Sequence, residues 1–182
     1  GWLLPRSVQT GINVAAGSLE RGGFVVSPNA QAVLRLSTSV LAEQLARVVD
    51  GNHDTAFEVK DVVATGVFLV LDLGARFGVD HISFFPRASF RTDFMKGYVM
   101  SVNDGVFGAD IVAASPDKLP NRSLFTIVGQ EQGNSRDTVD VRFPLQYVRY
   151  VRLESTQRFN WEIDELELFG RGFVPEAEYL TV

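Results

Sequence analysis

Short segments rich in β-branched and aromatic residues follow one another along most of the chain, and several of them alternate between apolar and polar positions. Such segments, bounded by Gly, Pro, Asn and Asp, are typical of β-strands. An irregularity in the last but one of them indicates a β-bulge. Turns about every eight to twelve residues predict an antiparallel β-sandwich. The predicted strands are 66–74, 79–87, 97–105, 124–129, 138–144, 146–155 and 162–170.

One segment, residues 38–50, has the spacing of a helix rather than that of a strand. Leu41, Leu45 and Val48 or Val49 recur at intervals of three to four residues, which places them on one helical face. The segment is short, so we expect one or two turns. The sequence therefore predicts an all-β domain with at most short helices.

The two ends differ from the middle of the chain. Residues 1–33 hold short apolar pieces between glycine-rich breaks, and residues 173–182 have the composition of an extended tail or linker. We therefore place the sandwich at residues 34–172. Residues 1–5 lack the basic start and small-residue cleavage site of a signal peptide. An exported protein would thus be present here as a mature chain or as part of a longer one.

Strand-like pieces occur in both ends, at residues 12–15, 24–26 and 178–182. A lone strand of this size is not stable in water and must dock on a sheet edge. It docks either on its own sandwich or on a neighbouring molecule. We expect at least one end to cross to a neighbour, which would give a homo-oligomer or a filament.

Composition excludes several classes of function. Hydrophobic residues make up 46% and charged residues 21% of the 182 residues, which is typical of a globular domain with a sizeable core. The net charge is −5 and no basic run is present, so we expect no nucleic-acid partner. No apolar run reaches the roughly 18 residues that span a bilayer, so we expect no membrane insertion. Cysteine is absent, which excludes disulfides, thiolate metal sites and a cysteine nucleophile.

The sequence does not indicate catalysis. His53 and His81 are the two histidines, no serine has a nucleophile-elbow setting, and no glycine-rich phosphate loop precedes a helix. The acidic residues Asp164, Glu165 and Glu167 lie in a predicted strand. Neighbours there point to opposite faces, and pairs two residues apart indicate a solvated face or a metal site. We therefore predict that the protein is not an enzyme.

Five motifs follow one another along the chain: VVDGNHDTAFEV, VFLVLDLGARFGVDHISFFPR, GYVMSVNDG, VRYVRLES and WEIDELELFG. In this order they resemble the factor V/VIII type C (discoidin) domain. The resemblance covers about residues 34–172 and implies a galactose-binding-like β-sandwich of jelly-roll type, shared with the family 32 carbohydrate-binding modules. It implies a non-catalytic binding module, extracellular or at the cell surface, whose partner is a glycan or surface polysaccharide. The fold alone does not select the ligand, because it also hosts lipid and protein binders.

A structural subunit is the alternative function. The long ends exceed what the sandwich needs, and their strand-like pieces would let copies of the chain assemble into an extracellular fibre or layer.

The resemblance implies a structural Ca²⁺ in the loop after the first element. It carries this role to the side chains of Asp50, Thr55 and Glu165 and to the main chain of Asn52. Carboxylate, hydroxyl and carbonyl oxygens suit Ca²⁺, which takes roughly six to eight oxygen ligands. The alternative is a turn in which Asp50 and Thr55 cap main-chain N–H groups. His53 is expected to be an exposed turn residue.

The resemblance also indicates a sugar site. In the carbohydrate-binding relatives an arginine just after the third strand commonly contacts the ligand, and Arg87 stands at that position. Its planar fork of donors suits vicinal hydroxyls or a carboxylate. Asp93 offers an acceptor for hydroxyl groups, and Trp161 or Phe159 offers a ring on which a sugar can stack. Glu58 completes the candidate site.

The chain departs from the sugar-binding pattern at two positions. Glu58 stands where many members have a histidine, and Phe57 stands where tryptophan is commoner. The alternative to a sugar site is a structural role for the same residues. Arg87 would then pair with Asp93 or Glu58, while the base of the sandwich would be filled by Phe90, Phe94 and Trp161.

Overall fold

The computed structural model describes residues 12–60, 65–106 and 122–170, and these ranges hold eight β-strands. Six of the strands form one antiparallel sheet in the order β1-β3-β6-β4-β5, with β8 also paired to β3. The other two, β2 and β7, form a separate antiparallel pair. The predicted antiparallel β-sandwich is thereby confirmed. The strands are β1 (Val25–Val26), β2 (Phe57–Val59), β3 (Phe68–Phe85), β4 (Tyr98–Asn103), β5 (Thr126–Glu131), β6 (Val139–Ser155), β7 (Trp161–Ile163) and β8 (Glu165–Phe169).

Four of the predicted strands form two long ones. β3 contains most of 66–74 and 79–87, and β6 contains most of 138–144 and 146–155. The β3–β6 register shifts twice, between Asp72 and Phe77 and between Val79 and His81. Extra residues are absorbed there as bulges, which bend a strand without ending it. By contrast, the predicted strand 162–170 is interrupted at Asp164, between β7 and β8.

The helical prediction for residues 38–50 is confirmed. Helix α2 (Thr38–Ala46) follows the shorter α1 (Ala30–Leu34) and continues into a 3₁₀ turn at Arg47–Val49. The Ser37 side chain caps α2 by accepting a hydrogen bond from the Val40 N–H at 3.3 Å. Leu41, Leu45 and Val48 are buried against the core. No helix within the described ranges combines the length and apolar character of a membrane span.

The described part of the N-terminal extension docks on the chain's own sandwich. The Val14 N–H donates to the Leu168 carbonyl at 2.9 Å, and β1 pairs with β3. Ala15 and Ala30 are fully buried in the same core as the strands. Of the two docking alternatives, the described residues 12–33 of the extension therefore follow the first, which is docking on the chain's own sandwich. The strand-like piece at 178–182 lies outside the described residues.

Candidate ligand site and metal loop

A cluster of five charged side chains lies beside the β2–β7 pair. Its first two members come from opposing strands, since Glu58 of β2 is the register partner of Glu162 of β7. Directly opposed residues of an antiparallel pair point to the same face, so the two carboxylates are neighbours. The turn after β3 lies over this face. We call the group the charge cluster: Glu58, Lys60, Arg87, Asp93 and Glu162.

Arg87 is the centre of the charge cluster. Its Nε and one terminal nitrogen donate to the two Glu162 oxygens at 3.1 and 2.8 Å, and its main-chain N–H donates to the same carboxylate at 2.8 Å. The guanidinium also pairs with Glu58. The Glu162 side chain is 0% exposed, and its hydrogen bonds raise the pKa of Arg87 above the ordinary value. A buried carboxylate needs such partners, so Glu162 fixes where Arg87 points.

Lys60 and Asp93 complete the charge cluster. Lys60 Nζ lies 3.1 Å from Asp93 Oδ2 and about 4 Å from the carboxylates of Glu58 and Glu162. The Glu162 N–H donates to the Asp93 carbonyl at 2.8 Å, which ties the two segments together. Three carboxylates thus face two cations. Glu58 and Asp93 are partly exposed and present acceptor oxygens to solvent.

Two exposed aromatic rings flank the charge cluster. Phe90, 37% exposed, has the Arg87 guanidinium 4.4 Å and Lys60 Nζ 4.0 Å from its ring centroid. Phe159 is 49% exposed, and Lys96 Nζ lies 5.5 Å from its ring centroid. Lys96 in turn donates to the carbonyl of Thr92, next to Asp93 in the chain. Phe159 therefore lies close to the segment that carries Asp93.

Trp161 does not lie with these surface residues. It is 2% exposed, and its ring packs edge-on against Phe57 with the centroids 5.7 Å apart. Because side chains alternate along β7, the inward position of Trp161 gives Glu162 the outward one. The structure thus places Trp161 as the core alternative describes, and its ring presents no face on which a sugar can stack.

The predicted metal residues meet beside β8, where Asp50, Asn52 and Thr55 belong to one compact loop that contacts Glu165. We call residues 50–55 the metal loop. The Asp50 carboxylate accepts from the Asn52 N–H at 2.9 Å and from the Thr55 hydroxyl at 2.6 Å, and that hydroxyl lies 3.0 Å from the Asn52 carbonyl oxygen. Gly51, with φ +70°, turns the chain so that its N–H donates to Glu165 at 2.9 Å. All four predicted residues therefore meet, although Glu165 lies far from the other three in the sequence. The turn alternative is also visible, because Asp50 caps main-chain and side-chain donors.

The donor set fits a hard cation. Glu165 is 2% exposed, and burial together with the neighbouring Asp50 carboxylate raises its pKa to about 9. Two contacting carboxylates, one of them buried, need either a shared proton or a cation. No group of three or more His, Asp or Glu side chains in the described ranges has the arrangement of a metal site. The remaining oxygens here belong to Thr55 and Asn52, a hydroxyl and a carbonyl that Ca²⁺ accepts.

His53 projects from the metal loop. Its side chain is 68% exposed, as expected for a turn residue, and Nδ1 lies 2.9 Å from Asp164 Oδ2. That hydrogen bond raises the pKa of His53. Asp164 itself is buried at the junction of β7 and β8.

Sequence reasoning missed Glu162, Lys60 and the contact between His53 and Asp164. Glu162 was missed because its neighbour Trp161 was predicted to contact the ligand. A signal was available in the alternation of the segment WEI: if the tryptophan faces inward, the glutamate must face outward beside Glu58. The Lys60 contact had no such signal, since it depends on how the turn after β3 folds back.

The known proteins that are similar to this chain are all solved structures with a similar fold. No family model matches the chain, and no curated protein matches its sequence. The module CpGH89CBM32-5 from Clostridium perfringens, a family 32 carbohydrate-binding module solved with GalNAc-β-1,3-galactose, is 16% identical with a TM-score of 0.52; the match covers 69% of this chain and 83% of the module.

Two chitosan-binding modules of a chitosanase/glucanase from Paenibacillus sp. IK-5 are also similar. Module 1 is 16% identical with a TM-score of 0.57, over 87% of this chain and 99% of the module. Module 2, solved with chitotriose, is 19% identical with a TM-score of 0.50, over 68% and 84%. The likeness is one of fold, and it shows the galactose-binding-like, discoidin-type sandwich that the five motifs predict.

Proposed function

We propose that the protein is a non-catalytic carbohydrate-binding module that acts outside the cell or at its surface. One observation carries the proposal: Glu58, which lies far from Arg87 and Asp93 in the sequence, joins them in the charge cluster. They do so on a fold shared with modules solved with GalNAc-β-1,3-galactose and with chitotriose.

The charge cluster suits recognition of hydroxyl groups. The exposed oxygens of Glu58 and Asp93 accept hydrogen bonds from a sugar, while Glu162 and Lys60 hold the surrounding charges in place. The exposed ring of Phe159 offers an apolar surface for the C–H face of the sugar. Each carboxylate is paired with Arg87 or Lys60, an arrangement that orients a ligand rather than transferring protons. This supports a binding role without catalysis.

The metal loop supports a second part of the proposal, a structural Ca²⁺. Asp50, Glu165, the Thr55 hydroxyl and the Asn52 carbonyl would hold the ion. Bound there, it would neutralise the buried Glu165 and fasten the loop after α2 to strand β8. Its contribution is to stability and not to sugar contact.

A binding measurement tests the sugar site. Isothermal titration with galactose, GalNAc-β-1,3-galactose, glucosamine and chitotriose should show binding of at least one of these glycans. Asp93→Asn and Phe159→Ala should each weaken that binding by about tenfold, which corresponds to about 1.4 kcal/mol. Tyr147→Ala is the matched control, since Tyr147 is 43% exposed but lies on β6 opposite Gly78.

Two results would contradict the proposal. The first is wild-type protein that binds none of these glycans. The second is a pair of variants, Asp93→Asn and Phe159→Ala, that bind as tightly as the Tyr147→Ala control.

A further inference from the structure

A concave surface adjoins the charge cluster and shares Arg87 and Phe90 with it. Its volume is about 470 Å³, within the range of small-molecule sites. The walls come from the metal loop, from the end of β3 and the turn after it, from the residues before β6, and from the β7–β8 junction. We call it the His53 pocket; it is lined by residues 85–91 and by His53, Asp54, Asp137, Thr138 and Asp164.

One wall of the His53 pocket holds an unsatisfied acceptor. The Asp164 side chain is 4% exposed, its Oδ2 contacts His53, and its buried Oδ1 has no hydrogen-bond partner. A buried carboxylate oxygen without a donor is unfavourable, so a group that donates to it is stabilising. His53 covers this carboxylate from the solvent side. Because its side chain is 68% exposed, the ring has room to rotate and admit a ligand hydroxyl.

The lining also includes an ion pair, Arg91 with Asp137, and breaking this pair costs little free energy. Arg91 and Asp137 are 2.9 Å apart, with their side chains 67% and 35% exposed. Exposed pairs of this kind contribute little to stability, so their donors and acceptors exchange readily for those of a ligand. Phe85 and Phe90 supply apolar surface between the two polar sides. Carboxylates, a guanidinium and aromatic surface around one cavity suit a hexose unit.

We propose that the His53 pocket is a second sugar subsite. It takes the next unit of an oligosaccharide whose first unit lies on the charge cluster, and this inference rests on the proposed function. The shared residues Arg87 and Phe90 make the two surfaces continuous. The unit in the pocket donates hydroxyl hydrogens to Asp164 and Asp137 and accepts from Arg91. The module therefore selects chain length, which a single-sugar site does not.

Titration calorimetry with matched sugars of different length tests the subsite. GalNAc-β-1,3-galactose is compared with galactose, and chitotriose with glucosamine. For the glycan series that binds, the wild-type protein should prefer the oligosaccharide by at least about tenfold, or about 1.4 kcal/mol. In the variants Arg91→Ala and Asp137→Asn, the ratio of the affinity for the oligosaccharide to that for the monosaccharide should fall close to one. Arg142→Ala is the matched control, because Arg142 is 72% exposed and also pairs with an aspartate, Asp140, at 3.0 Å; its preference should stay at the wild-type value.

The outcomes separate the two proposals. Equal affinity of the wild-type protein for the short and long sugar, or an unchanged preference in Arg91→Ala and Asp137→Asn, would overturn the subsite and leave the charge cluster as the binding site. Absence of binding to all four sugars would overturn the proposed function and the subsite with it. A chemical-shift titration gives a check that needs no variant: Thr138 and His53 should shift with the oligosaccharide and remain unmoved with the monosaccharide.

Discussion

Glu162 lies directly opposite Glu58 across the β2–β7 pair, and the two carboxylates share one guanidinium, that of Arg87. Like charges at opposed positions of a strand pair are destabilising on their own. The pair is tolerated because Arg87 and Lys60 lie over it, and the burial of Glu162 makes these two cations necessary. A structural requirement and a candidate binding surface therefore depend on the same arginine.

Arg87→Ala should lower the free energy of unfolding by about 3–5 kcal/mol, the usual effect of leaving a buried charge without its partner. Urea denaturation followed by circular dichroism measures this. Glu162→Gln added to Arg87→Ala should recover part of the loss, since the uncompensated charge is then removed. Arg91→Ala, which breaks an exposed pair, should change stability much less than Arg87→Ala does. A loss in Arg87→Ala no larger than that of Arg91→Ala would contradict the prediction.

The metal loop predicts a stability that depends on both pH and calcium. Burial and Asp50 raise the pKa of Glu165 from 4.5 to about 9, so the folded protein holds this proton more tightly than the unfolded chain does. In a chelator, the contribution of Glu165 to stability should therefore be fully present below about pH 4.5 and be lost as the pH rises towards about 9. Calcium bound at the proposed site would replace the proton on Glu165, so with calcium the decline should be smaller. Thermal melts between about pH 5 and about pH 8.5, with and without calcium, measure the difference.

Glu165→Gln is the control for the metal loop. It keeps the shape of the side chain and removes the group that titrates, so both the decline with pH and the response to calcium should disappear. Wild-type melts that coincide with and without chelator at every pH would leave only the capped turn at Asp50 and Thr55.

Local patterns in the sequence predicted much of this molecule. Alternation located the strands, the spacing of Leu41 and Leu45 located α2, and the motif order led to a loop in which Asp50 and Glu165 touch. The alternation of apolar and polar residues did not show that pairs of predicted strands are continuous and form the long strands β3 and β6. A bulge interrupts alternation in the same way as a strand end does, and only the pairing partner tells them apart.

Alternation shows that Trp161 and Glu162 face opposite sides of β7, but the sequence did not show which of them faces the core or that both sides are covered. All three of its residues are buried, because the core covers Trp161 while the charge cluster covers Glu162. Periodicity separates the two faces of a strand only when one of them meets water. A carboxylate that is buried by a distant arginine has no local signature.

The docking of the N-terminal segment predicts different effects at two adjacent alanines. Ala15 is 0% exposed, whereas Ala16 is exposed. Ala15→Asp puts a charge without a partner in the core and should lower the free energy of unfolding by at least about 2 kcal/mol. Ala16→Asp should stay within about 0.5 kcal/mol of the wild type. Equal stability of the two variants in monomeric protein would show that this segment does not pack on its own sandwich in solution.

Substitutions of Trp161 should affect mainly the stability of the fold, whereas substitution of Phe159 should affect mainly glycan binding. Trp161→Ala removes a fully buried ring and should lower the free energy of unfolding by about 3–5 kcal/mol. Trp161→Phe should lose less, because it keeps an aromatic ring against Phe57 and removes an indole N–H that has no hydrogen-bond partner. Phe159→Ala should change stability by less than about 0.5 kcal/mol yet weaken retention on immobilised glycan. Urea denaturation followed by circular dichroism and affinity electrophoresis give the two readouts. The opposite result would be a Trp161→Phe variant that has wild-type stability but no retention on glycan, together with a Phe159→Ala variant that is retained. The ring that contacts the ligand would then be Trp161, and its buried position would not describe the bound protein.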